Sequence, residues 1–129
     1  LFMLTLLLKS VTMNESIKYI FRGKNMSTRE ELQMLGFEIV AYSGDARSTL
    51  LKLLREARNG NFEHVDAVLA EADENLKLAH NAQTKILAEE ASGEKLDIGF
   101  IFIHGQDHLM TTILLRDLIQ DLVHFHQKG

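Results

Sequence analysis

The 129-residue chain contains no cysteine, no proline and no tryptophan. The absence of cysteine excludes disulfide bonds, thiolate zinc sites and a cysteine nucleophile. The absence of proline favours long helices, because proline breaks a helix interior. Hydrophobic residues make up 46% of the chain and charged residues 25%, as in ordinary globular proteins. The sequence therefore predicts one cytosolic domain of the all-α class.

Positive charge is scarce outside the N-terminal segment. Residues 26–129 carry more Asp and Glu than Lys and Arg, and they lack the basic cluster that nucleic-acid binding requires. The apolar run at residues 1–8 is shorter than the roughly 20 residues that span a bilayer, and no basic segment precedes it. We therefore expect neither nucleic-acid binding nor membrane insertion.

The chain divides by composition into an N-terminal extension, residues 1–25, and a folded domain, residues 26–129. The extension is net positive, whereas the domain is acidic. Met3, Met13 and Met26 are all possible translation starts, and we interpret residues 1–25 as lying outside the native fold. The alternative is an amphipathic arm that docks on a partner. The intact mass of the protein from its native host distinguishes the two.

Periodicity predicts three helices joined by short links. The first begins at a capping box formed by Ser27 and Glu30 and ends at Asn59-Gly60. Gly36 and Gly44 within it are expected to allow close approach of a neighbouring helix. Its apolar stripe consists of Ile39, Tyr42, Ala46, Leu50, Leu53 and Ala57.

The second predicted helix is capped by Asn61 and ends at Ser92-Gly93. Its apolar stripe consists of Val65, Leu69, Ala72, Leu76, Ala79, Gln83 and Ile86, and its acidic face, expected to be solvated, carries Glu63, Asp66, Glu71, Asp73 and Glu74. A third helix is predicted over 98–128. Residues 100–103 could form a buried strand, but the chain offers no second strand to pair with it. The prediction is an antiparallel up-down-up three-helix bundle.

A polar cluster interrupts the apolar third helix. His104, Asp107, His108 and Thr111 lie at i, i+3, i+4 and i+7, so they share one helix face. We expect this face to follow the seam of the bundle. Burying imidazoles and a carboxylate costs several kcal/mol unless they are paired or bind something.

Three interpretations of this cluster compete on the residues alone. The histidines and the carboxylate could bind a divalent metal, although Gly105 stands where a zinc hydrolase usually has its glutamate base. The cluster could be a core polar network that fixes the register of the helices. Alternatively, His104 could be a nucleophile, because neutral imidazole attacks phosphorus or acyl centres while a neighbour holds its other nitrogen.

Three segments carry a family resemblance: LGFEIVAYSGDARS at 35–48, AHNAQT at 79–84 and HGQDHLMTT at 104–112. Over about residues 27–128 the chain resembles enzyme IIA of the lactose/cellobiose branch of the bacterial phosphoenolpyruvate-dependent sugar phosphotransferase system. The resemblance implies a cytoplasmic homotrimeric phosphocarrier, an enzyme component with a phosphohistidine intermediate. It favours lactose over cellobiose or N,N'-diacetylchitobiose as the sugar. A non-catalytic metal-binding helical scaffold is the alternative from another functional class.

The resemblance also assigns site residues. His104 matches the histidine that receives a phosphoryl group on Nε2 from the phosphocarrier protein HPr and passes it to a cysteine of the cognate enzyme IIB, upstream of the membrane-bound IIC. Asp107 matches a metal ligand shared by three subunits on the trimer axis, with Mg²⁺ as the usual ion. His108 is expected to support His104. His80 is expected to be a site neighbour or core residue, and surface or terminal positions are expected for His64, His124 and His126.

Overall fold

The computed structural model describes residues 28–129. These residues form three helices, α1 (Arg29–Arg58), α2 (Val65–Ala91) and α3 (Phe100–Lys128), with no strand among them. The predicted all-α class and the helical assignment of residues 100–103 are confirmed, although α3 begins two residues later than predicted. The predicted extension, residues 1–25, lies outside the described residues, so its boundary with the domain stays a prediction.

Helix α1 begins at a capping box one residue later than the sequence predicted. The Glu31 backbone N–H donates to the Thr28 hydroxyl over 3.2 Å, and the Thr28 backbone N–H donates to the Glu31 carboxylate over 2.8 Å. Both registers of the sequence satisfy the capping-box pattern, which is why the pattern did not separate them. The predicted cap, Ser27, lies outside the described residues.

The links between the helices follow the predicted stop signals but not the predicted cap of α2. Gly60 and Gly93 have φ values of +79° and +96°, the left-handed conformation that favours glycine after a helix. The prediction that Asn61 caps α2 is wrong, because His64 occupies the N-cap position without a side-chain hydrogen bond. The Asn61 side chain instead accepts a hydrogen bond from the Glu63 backbone N–H in the preceding turn.

Helices α1 and α3 run parallel and cross at two glycines. A Cβ atom added to Gly36 would lie 2.9 Å from the Phe102 backbone nitrogen, and one added to Gly105 would lie 2.9 Å from the Gly36 carbonyl oxygen. The predicted close approach at Gly36 is therefore confirmed. The same prediction for Gly44 is wrong within the described chain, because a Cβ atom there would meet nothing within 4 Å.

Helix α2 runs antiparallel to α3 and is joined to it by a half-buried ion pair. Arg116, 8% exposed, donates from Nε and one NH₂ group to the two Asp73 carboxylate oxygens over 2.6 and 2.8 Å. Its other NH₂ group donates to Gln120. The expectation that Asp73 belongs to a solvated acidic face is wrong, because its half-buried carboxylate binds the buried guanidinium of Arg116.

The core is continuous through the middle of the bundle. Every member of the two predicted apolar stripes is buried except Tyr42 and Val65, which are half-buried. Together with the helix directions, this confirms the up-down-up arrangement for a single chain. No helix within residues 28–129 combines the length and the apolar character that a membrane span requires.

Candidate functional site

The imidazole of His104 stands on the second turn of α3 and is exposed. The His108 ring meets it edge-on, with ring centroids 4.6 Å apart, and the Phe100 ring lies on its other side at 6.5 Å, nearly parallel. Phe100 is itself 81% exposed. His104 therefore lies between two rings of its own helix, with an accessible edge.

The polar cluster faces outward, so the predicted burial along the seam is wrong. His104, Asp107 and Thr111 are exposed in the single chain, and His108 is half-buried. The spacing correctly placed the four residues on one helix face. Apolar residues flank that face on both sides, so the spacing could not show which face of α3 packs into the core. This exposure contradicts a core polar network within one chain.

The hydrogen bonds inside the cluster run to backbone oxygens and involve neither histidine ring. The Thr111 hydroxyl donates to the Asp107 backbone carbonyl oxygen over 2.7 Å, which leaves the Asp107 carboxylate uninvolved. The His108 Nδ1 atom is buried and has no hydrogen-bond partner among residues 28–129. The structure thus brings His104 and His108 into contact, whereas Asp107 lies beside them as a separate exposed carboxylate.

One chain does not assemble a metal site. Residues 28–129 contain no group of three His, Cys, Asp or Glu side chains placed to hold an ion together. Asp107 offers hard carboxylate oxygens of the kind that Mg²⁺ binds, and they are exposed. The donor chemistry fits Mg²⁺, but the described part of one chain would not supply a complete set of ligands.

The other histidines are less suited to receive a phosphoryl group. His80 is only 8% exposed, and neither of its ring nitrogens has a hydrogen-bond partner in the described part of the chain. Burial lowers the pKa of His80, and the neighbouring Gln83 amide opposes part of that shift. His64 and His124 are exposed but have no second histidine ring beside them, and His126 packs near Phe125 at the end of α3.

We expect folding stability to decline as the pH falls below about 6.5, the ordinary histidine pKa. Below that pH the unfolded chain binds a proton at His80, whereas the buried ring of the folded chain remains neutral until a lower pH. This group changes the free energy of unfolding by at most about 1.4 kcal/mol per pH unit. Urea unfolding at several pH values measures the slope, which should be smaller in His80→Gln and unchanged in the exposed control His64→Gln. Equal slopes in all three proteins would contradict the assignment.

Apolar side chains around His104 were missed by the sequence reasoning. Phe37, beside the crossing glycine of α1, is 57% exposed, and Ile103 of α3 is 52% exposed. With Phe100 they are exposed apolar side chains on the segments of α1 and α3 that meet near His104. Their spacing alone could not reveal this exposure, because periodicity does not distinguish an apolar residue of the core from one on the surface.

Known proteins share this sequence and fold. A sequence model described as "PTS system, Lactose/Cellobiose specific IIA subunit" matches residues 34–127. The PTS system lactose-specific EIIA component of Lactococcus lactis subsp. lactis is 54% identical over 101 residues, covering 78% of this chain and 96% of that protein.

Solved structures agree with the sequence comparison. PtcA from S. mutans aligns with a TM-score of 0.74 and 40% identity, covering 78% of this chain and 99% of that one. A chain of the IIA(Chitobiose)-HPr complex of the Escherichia coli N,N'-diacetylchitobiose branch aligns with a TM-score of 0.63 and 33% identity, covering 80% of this chain and 97% of that one. The chain therefore belongs to the lactose/cellobiose-specific IIA subunit family of the sugar phosphotransferase system.

Proposed function

We propose that this protein is a cytoplasmic phosphocarrier in which His104 accepts a phosphoryl group from the phosphohistidine of HPr and passes it to a cysteine of the cognate enzyme IIB. The observation that carries the proposal is the accessible His104 imidazole, held between Phe100 and His108 on the surface of a IIA-family bundle. His80, the buried alternative, is only 8% exposed and offers a partner protein little access.

The chemistry requires positioning more than acid–base catalysis. The lone pair on Nε2 of neutral His104 forms a new N–P bond as the N–P bond of the donor breaks, and the electron pair of that bond returns to the donor nitrogen. In the second transfer, a thiolate sulfur of IIB forms an S–P bond as the N–P bond at His104 breaks. His108, in edge contact with His104, restricts the orientation of the attacking ring.

The exposed apolar side chains near His104 suit transient docking of both partners. Phe100 lies beside the imidazole, Phe37 and Ile103 are exposed on the adjoining helix segments, and apolar side chains of this kind exclude water when a partner covers them. A relative in the chitobiose branch was solved in complex with HPr, which supports HPr as the donor here. The acceptor IIB and its membrane partner IIC are part of the proposal.

Phosphorylation in a reconstituted system tests this function. With phosphoenolpyruvate, enzyme I and HPr present, the chain should gain one phosphoryl group that is labile in acid and stable in base, as expected for a phosphohistidine. Omission of HPr should prevent the gain. A chain that remains unmodified while it binds a divalent metal would favour the non-catalytic scaffold instead.

We further propose that three copies assemble around α3. Its outward residues Asp107, Thr111, Leu114, Leu118, Leu122 and Phe125, here called the α3 stripe, are all exposed in the single chain and recur at spacings of three and four. A long apolar stripe with this spacing is typical of a helix that packs against copies of itself. In such a trimer the Asp107 carboxylates of three copies would hold Mg²⁺, whose charge would offset their mutual repulsion.

Replacing Asp107 by leucine should therefore strengthen the trimer when metal is absent, because the change removes three like charges and adds apolar contact. Sedimentation measures the fraction of trimer at several protein concentrations, with Mg²⁺ or with a chelator. We expect the chelator to weaken the wild-type trimer and to leave Asp107→Leu unchanged. Asp45→Leu, an exposed substitution on α1, is the control that should respond as the wild type does. Monomers in all proteins would contradict the axial site.

For the sugar we propose lactose, because the Lactococcus lactis relative is lactose-specific. The same relay serving cellobiose or chitobiose is the alternative, since a structural relative belongs to the chitobiose branch. Because the IIA component hands its phosphoryl group to IIB, transfer from the phosphorylated chain to IIB proteins of the three types distinguishes these sugars. The lactose-type IIB should be phosphorylated fastest, and faster transfer to another type would reassign the sugar.

A further inference from the structure

A cavity of about 190 Å³ opens between α1 and α3 beside the α3 stripe. Its walls are mostly apolar, with one cation at the rim, and its lining residues are Arg47, Leu51, Thr111, Thr112 and Leu115. Thr111 belongs to the α3 stripe, so the cavity borders the surface that we propose to be covered by other copies.

Two polar groups of this cavity, on Arg47 and Thr112, have no partners within the described chain, whereas the Thr111 hydroxyl donates to the Asp107 backbone carbonyl oxygen. Arg47 is exposed and makes no hydrogen bond or ion pair with any residue of 28–129, although acidic side chains outnumber basic ones in this chain. Thr112 is 1% exposed, and its buried hydroxyl lacks a hydrogen-bond partner among the same residues. The Arg47 guanidinium can bind a carboxylate, and the leucine side chains below it can pack against the methylene groups of an acidic side chain. A free anion would lack that apolar contact.

The α3 stripe has two different flanks. On one flank, Thr111 and Leu115 face α1 and line the Arg47 cavity. On the other flank, Met110 contacts Gln83 of α2, and Asp117 lies seven residues later on the same side of the helix. Asp117 is half-buried, and the guanidinium of the adjacent Arg116 is already bound to Asp73 and Gln120.

Cyclic symmetry brings these two flanks together. When copies close into a ring around an axis along α3, the contact is head-to-tail, so the α1 flank of one copy meets the α2 flank of the next. Equivalent atoms then lie at the same height along the axis. Asp117 is two residues beyond Leu115, about 3 Å along the helix, whereas Asp121 is about 9 Å beyond it. Asp117 is therefore the acidic side chain of α3 nearest in height to the cavity, and the α2 carboxylate at this height, Asp73, is already bound to Arg116.

We infer that Arg47 of each copy binds Asp117 of the next copy, and that this cavity is a site completed only by assembly. The inference rests on the proposed homotrimer.

Exchanging the two charges tests the pairing in the full-length protein. Arg47→Asp and Asp117→Arg should each raise the concentration at which half of the protein is trimeric by about tenfold or more, because each places like charges in contact. The double variant should return to within about threefold of the wild type. The control double variant, Arg47→Asp with Asp121→Arg, should remain weakened. Sedimentation measures assembly, and circular dichroism at low concentration shows that each single chain keeps its helices.

The outcomes separate this inference from the proposed relay. A trimeric wild type with unaltered assembly in Arg47→Asp, or with no recovery in the double variant, would overturn the pairing while leaving the trimer intact. A wild type that is monomeric at every concentration would overturn the pairing and the trimer together. Phosphorylation of His104 by HPr is measured separately, and its result tests the proposed relay independently of assembly.

Discussion

Replacing His104 by glutamine is expected to abolish phosphorylation from HPr. The amide of glutamine is similar in polarity but has no lone pair on nitrogen that can form a stable N–P bond, so incorporation should fall by at least about a thousandfold. Phosphoryl incorporation over time, followed by intact mass, measures the effect. His104 is exposed and outside the core, so the variant should keep the helical content of the wild type.

Two further histidine variants show whether the loss is specific. His108→Gln removes the ring that contacts His104 edge-on, and we expect slower phosphorylation, by about tenfold, with the same final extent. His124→Gln, an exposed change near the end of α3, should phosphorylate at the wild-type rate. Full incorporation in His104→Gln would show that another residue accepts the phosphoryl group.

The largest expected effect on stability comes from Gly36→Ala. The added methyl group would lie 2.9 to 3.0 Å from three backbone atoms of residues 101 and 102, and backbone atoms cannot move aside without displacing α3. Overpacking of this kind costs about 2–3 kcal/mol. For a domain of this size the corresponding decrease in melting temperature is about 10 °C.

Gly44→Ala is the matched control in the same helix. A methyl group there meets no atom within 4 Å, so helix propensity alone should act and raise the stability of the chain by about 0.5–1 kcal/mol. Thermal unfolding of both variants under identical conditions measures the difference. Similar destabilisation by both substitutions would show that backbone contact at Gly36 is not what makes that glycine necessary.

The sequence predicts the helices of this fold well because their signals are local. The apolar periodicity of α1 and α2 and the glycines at positions 60 and 93 depend on neighbouring residues alone, and the structure agrees with them. Close approach of a neighbouring helix was predicted at both Gly36 and Gly44, and the structure shows it only at Gly36, where α3 is the neighbour. The equal prediction for Gly44 failed, because a glycine inside a helix does not reveal whether anything approaches it.

The polar cluster lies on one helix face as predicted, but the predicted burial of that face was wrong. Spacing placed His104 and His108 together, but the direction of that face depends on how three helices share their apolar surface. The same limit applies to Asp73, whose partner Arg116 is 43 residues away. Long-range pairs and the choice between two apolar faces arise from packing, which no local pattern contains.

Locating the phosphoryl group on the wild-type chain tests the central claim most directly. After phosphorylation by HPr, the protein can be digested under mildly alkaline conditions and the modified residue identified by mass spectrometry with fragmentation that preserves the N–P bond. The chain contains six histidines. We predict that the phosphoryl group lies on His104 alone, and its presence on any other residue would contradict the account.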